Sequence, residues 1–137
     1  MSEGELLYNA IKTPDGTILE SRHRHDYKSY VDSNGETYVT DGGLSYTRRS
    51  VNKEPYEELS VYTDDPHEKI REVFSWGSRG KKGDEPLKYI LLKDITDEHL
   101  EALIGYTEDH SYPDKIKKVF LDEKTYRNTR YSLDRWV

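Results

Sequence analysis

The sequence predicts an α+β protein in which an N-terminal antiparallel β-meander over residues 13–63 is followed by three α-helices within 65–131, all in a single domain of residues 1–137. Three observations predict it. Turn-forming clusters punctuate the first half at short spacing, as Thr13-Pro14-Asp15-Gly16, Asp32-Ser33-Asn34-Gly35 and Asp41-Gly42-Gly43. Beyond Asp65-Pro66 the apolar spacing changes from strand-like to helical. No internal repeat, low-complexity tract or long linker divides the chain.

The first dozen residues read as a flanking strand or an ordered arm. Pro14 and Gly16 turn the chain, and Thr17 to Val31 reads as one long strand. Within it, Ser21-Arg22-His23-Arg24-His25-Asp26-Tyr27 places six ionisable or phenolic side chains in seven positions. At the strand period of two, Arg22, Arg24 and Lys28 share one face; Leu19, His23, His25, Tyr27 and Val31 share the other. Asn34-Gly35 marks a hairpin turn, and Glu36 to Thr40 returns as a strand. Leu44 to Ser50 is a third strand carrying Tyr46, Arg48 and Arg49, and Leu59 to Tyr62 a fourth.

Asp65-Pro66-His67-Glu68 has the form of a helix start: an Asp cap, Pro at the first helical position and Glu at the third. Ile70, Val73 and Phe74 continue at helical spacing to a stop near Trp76-Gly77. Ser78 to Asp84 is a polar, Gly-rich loop, and Leu87 to Leu92 a short strand or extended crossing. Thr96 caps a second helix, with Ile95 and Leu100 as a hydrophobic staple and Leu103 and Ile104 on its inner face. A third helix runs from Pro113 to about Arg130 on a stripe of Ile116, Val119, Phe120 and Tyr126.

With 33% hydrophobic and 35% charged residues, the 137-residue chain has little apolar material to bury; its 12 Tyr offset this and favour assembly with copies of itself. The lack of Cys excludes disulfides and Cys-ligated zinc. No apolar run approaches the roughly 18 residues of a spanning helix, and Met1 to Glu5 lacks the form of a signal peptide. A cytosolic location and no membrane partner are expected. The net charge of −6 argues against binding long nucleic acid. The cations are nevertheless clustered: Arg22 with Arg24, Arg48 with Arg49, Arg79 with Lys81 and Lys82, and Arg127, Arg130 and Arg135 at the end. Compact cationic spots on an acidic protein suit a small anion.

Arg22, Arg24, Arg48 and Arg49 can meet around a phosphate if the first and third strands approach, because guanidinium pairs with two phosphate oxygens at once; the alternative is a surface ladder paired with Glu20, Asp26 or Glu36. His23 and His25 are ligand contacts, metal ligands or half-buried histidines bonded within the sheet, and a third metal ligand is not evident. Phe74 and Trp76, before the basic loop with Arg79, can stack a base beside a phosphate; the alternative places Phe74 in the core and Trp76 as a capping contact. Arg127 and Asn128 lie in a polar, aromatic helix end that either complements the helix dipole or reaches a neighbouring subunit's site. No catalytic signature is present in the sequence, so a binding protein is expected over an enzyme, with neither metal nor cofactor expected.

The runs Ser21 to Tyr27, Asp41-Gly42-Gly43-Leu44, Asp65-Pro66-His67-Glu68, Phe74-Ser75-Trp76-Gly77-Ser78-Arg79-Gly80 and Pro86-Leu87-Lys88-Tyr89 resemble a small bacteriophage protein family, over most of residues 13 to 125. In size, order of sheet and helices, and lack of catalytic groups, the chain resembles the first described group of Thoeris anti-defence proteins, the anti-Thoeris sponges. The resemblance implies a non-enzymatic homo-oligomer, a dimer or hexamer, in the host cell cytoplasm. It would hold a cyclic ADP-ribose isomer, or a cyclic oligonucleotide, at subunit interfaces and so block host anti-phage defence. Two alternatives stand beside it: a phage nuclease or phosphodiesterase using His23 and His25, and a protein-binding inhibitor of a host factor.

Overall fold

The first strand, β1 (Leu6–Lys12), is the hub of a sheet, where a flanking strand or arm was expected. The computed structural model describes residues 4–80 and 82–135. They form antiparallel strands followed by three helices, an α+β fold. The chain gathers into two compact units, one running to Asp65 and one from Pro66 onward.

In the first unit, β1 pairs antiparallel with β2 (Ile18–Ser21) across the Thr13–Thr17 turn, Asn9 lying opposite Ser21. It also pairs with two short later strands, β6 (Glu57–Glu58) and β7 (Val61–Tyr62). A second antiparallel sheet is β3 (Lys28–Val31), β4 (Thr37–Asp41) and β5 (Arg48–Arg49), in that order. Ile11, Leu19 and Tyr38 form a core cluster against which Tyr30 and Tyr56 pack.

The long strand expected from Thr17 to Val31 is two strands with a turn between them. Asp26 is the reason. Its backbone N–H donates to the His23 carbonyl at 3.0 Å, and its Oδ2 accepts the Arg22 N–H at 2.8 Å. These local bonds compete with strand pairing, as Asp side chains commonly do. The expected sorting of Arg22, Arg24, His23 and His25 onto two faces of a ribbon therefore does not hold. Of the expected strand Leu44 to Ser50, only Arg48 and Arg49 pair with a neighbour.

In the second unit, α1 (His67–Val73) begins one residue later than expected. Pro66 occupies the N-cap position without a side-chain cap, while the Asp65 carboxylate accepts the Tyr62 N–H at 2.7 Å. The helix stops at Val73, before the expected Trp76-Gly77. Phe74 is extended, and its carbonyl accepts the Leu92 N–H at 2.8 Å. Ser75–Ser78 then forms β8, paired antiparallel with β9 (Lys88–Leu91). A 3₁₀ turn at Leu92–Asp94 leads to α2 (Asp97–Asp109), whose N-cap Thr96 accepts the His99 N–H as expected. Ser111, at φ 53°, ends that helix, and α3 spans Asp114–Arg135. Ile70, Phe74, Leu92, Ile95, Leu100, Leu103, Ile116, Val119 and Phe120 are the buried hydrophobics of this unit. No described helix is long and apolar enough to cross a membrane.

Candidate functional site

Three polar residues of the first unit stand at core positions in the strand alternation. Asn9 is in phase with Leu7 and Ile11, Ser21 with Leu19, and Thr40 with Tyr38, and all three are buried. Buried polar groups must be bonded or they cost stability. Here Asn9 and Ser21 reach two loops, residues 22–27 and 42–47, while Thr40 bonds Asn9.

Asn9 Nδ2 donates to the carbonyls of Asp41 and Gly43, each at 3.0 Å, and of Tyr46 at 3.3 Å. Its Oδ1 accepts from Thr40 Oγ1 and Arg49 Nη2, each at 2.9 Å. The second loop is thus fastened from below by one side chain. Ser21 Oγ joins the loops to each other: it donates to the Asp26 carbonyl at 2.7 Å and accepts the Gly43 N–H at 2.8 Å. Gly43, at φ 51°, lies so close to the His23 backbone that a β-carbon would run into its carbonyl group.

On this frame the first loop exposes His23, Arg24, His25 and Tyr27, followed by Lys28. The second loop exposes Tyr46, and Arg48 follows with its side chain 69% exposed. The carboxylate of Asp26 is largely buried, 3.2 Å from Lys28 Nζ and 3.9 Å from His23 Nε2. Arg48 also meets a buried carboxylate, that of Asp41, at 2.8 Å. The outward groups are therefore cations, imidazoles and phenols on fixed backbone. Such a surface can pair phosphate oxygens with guanidinium and offer rings to a base.

The other candidates fall elsewhere. Arg22 pairs with Glu20 at 3.1 Å. Arg49 is nearly buried and bonds Asn9, Thr40 and Ser60, with Glu58 at 3.5 Å. It is a strut inside the unit, committed to internal partners, whereas Arg24 and Arg48 are exposed. In the second unit Phe74 is core, 6.0 Å centroid to centroid from Phe120, and offers no stacking face. Trp76 lies on a strand, packed against Tyr106, Tyr112 and Phe120. Arg79 is exposed in the β8–β9 loop, and Asn128 is exposed on α3. Lys81 and the side chains of Arg130 and Arg135 lie outside the described residues.

Arg127 is committed inward. Its Nε donates to Glu123 Oε2 and its Nη1 to Asp97, both at 2.7 Å, and its Nη2 to the Leu92 carbonyl at 3.0 Å. Glu123, fully buried, also accepts from both arms of Arg71 and lies 2.8 Å from His67 Nε2. Burial pushes this carboxyl up, but the bonds from His67, Arg71 and Arg127 outweigh it and bring it down to about 2. In the first unit, burial and then the bond to Glu20 raise the Tyr8 phenol well above its ordinary range.

Asn9, Ser21, Lys28 and Tyr46 were not among the site residues expected from the sequence. The first two had a signal: a polar residue in phase with a core stripe. No family model, characterised protein or solved structure matches the chain.

Proposed function

We propose that the chain is a non-catalytic sponge that captures a small phosphate-bearing signal of the cyclic nucleotide class, a cyclic ADP-ribose isomer or a cyclic oligonucleotide, as the anti-Thoeris resemblance implies. The observation that supports this reading is the pair of loops at 22–27 and 42–47, with Arg24, His23, His25, Tyr27, Tyr46 and Arg48 outward on a frame of buried hydrogen bonds. Groups held in place before the ligand arrives lose little entropy on binding, which favours tight capture. Arg and Lys serve the phosphates, Tyr the base, and His the hydroxyls of the sugar. Burying most of such a ligand requires a cleft, which assembly with further copies would build.

Native mass spectrometry of the chain with a panel of cyclic ADP-ribose isomers and cyclic oligonucleotides tests the proposal. The expected result is an oligomer retaining unaltered ligand, with retention lost in an Arg24→Ala, His25→Ala double variant. A chain that retains no member of the panel overturns it. The alternative of a phosphodiesterase would use His23 and His25, both exposed on the first loop. Return of cleaved ligand, abolished by His23→Ala, would establish that reading instead.

A further inference from the structure

We infer that the hydroxyl of Ser21 is a positioning residue for ligand capture, coupling the two loops so that they act as one binding surface. The inference rests on the capture reading above and assigns a role to a residue that need not touch the ligand. Ser21 is 2% exposed, at the last position of β2, and its side chain is the shortest that carries both a donor and an acceptor. Both functions are used, one on each loop, through the Asp26 carbonyl and the Gly43 N–H.

The two ends of this bridge lie in the same two loops as the outward groups. Asp26 precedes Tyr27 and Lys28 and holds the Arg22 N–H, which closes the turn bearing Arg24 and His25. Gly43 opens the loop that leads to Tyr46 and Arg48, and Asn9 fastens that loop to β1. Asn9 thus sets the second loop on the sheet, whereas Ser21 sets the distance between the loops. A flat, phosphate-bearing ligand gripped by both loops depends on that distance, and misplacement by about 1 Å costs up to about a hundredfold where groups must converge.

The test separates positioning from stability. Ser21→Ala removes the bridge; Thr107→Ala removes a buried hydroxyl in the second unit, which donates to the Leu103 and Ile104 carbonyls. Affinity for cyclic ADP-ribose and for cyclic di-AMP is read by calorimetry, and Tm by scanning calorimetry. Ser21→Ala is expected to weaken binding about tenfold or more, and Thr107→Ala to leave it within about twofold at a similar loss of Tm. Ser21→Cys, which keeps a weak donor and acceptor, is expected to recover part of the affinity, and it takes the place of the alanine variant if that chain does not fold. A Ser21→Ala chain that binds like the wild type overturns the inference alone. A wild-type chain that binds neither probe overturns the capture reading, and the inference falls with it.

Discussion

The imidazole of His67 on α1 meets the carboxylate of Glu123 on α3 at 2.8 Å, in a cluster that Arg71 and Arg127 complete. One buried anion thus gathers three donor side chains from two helices. Removing a single partner from such a group leaves uncompensated charge in a dry site.

Glu123→Gln is therefore expected to destabilise the second unit by about 3–5 kcal/mol. The sign of the pH dependence follows from the depressed carboxyl. Folded Glu123 titrates at about 2, below an unfolded glutamate at about 4.3, so the unfolded chain binds the proton first. Its stabilisation is complete above the unfolded value and is lost as pH falls toward 2. Urea unfolding between pH 2 and 7 should show this loss in the wild type, and a shallower one in Glu123→Gln. Equal slopes in the two proteins would refute the assignment.

Gly43→Ala should be far more damaging than Gly35→Ala. The position combines φ 51° with contact against the His23 backbone, whereas Gly35, at φ 79°, has open space around it. Gly35→Ala carries only the cost of a left-handed backbone, about 1–2 kcal/mol. Gly43→Ala adds a clash that forces the loops apart, so its loss in denaturation midpoint should clearly exceed that of Gly35→Ala. A smaller loss would show that the loops can give way.

Ser111→Gly should stabilise the chain. Ser111 is left-handed where α2 ends, and the Tyr112 N–H returns to the Thr107 carbonyl at 3.0 Å. Glycine relieves the left-handed strain at some cost in backbone entropy, for a net gain of about 0.5–1 kcal/mol. Thermal unfolding reads it, and an unchanged or lowered Tm would contradict the account.

The order of the fold was legible because its signals are local: Asn34-Gly35, the Thr96 cap and the helical stripe of Ile116, Val119 and Phe120 each speak for themselves. Two boundaries were not. The run from Thr17 to Val31 carries strand-like residues throughout, yet the Asp26 side chain and the Ser21 hydroxyl bond backbone that a continuous strand would have needed. Phe74 fits a helical stripe, but the chain is extended from there, and Trp76 pairs with Ile90 on the segment Lys88–Leu91, a pairing that no local pattern announces. At the candidate site the cations were legible and their partners were not. Arg48 and Arg49 are neighbours in sequence, but one is exposed and the other is drawn inward by Asn9 and Ser60. That division follows from strand register, which composition does not carry.

The central place of β1 bears on the order in which the first unit is completed. Its strand is made early, while part of its hydrogen bonding waits for β6 and β7, and the Glu5 N–H meets Thr63 Oγ1 58 residues away. Closing so long a loop costs chain entropy before any contact repays it. Until Val61 and Tyr62 leave the ribosome, the backbone groups they satisfy stand open as a template for a neighbouring chain. The nascent protein therefore passes through an interval of adhesiveness that the finished one does not share.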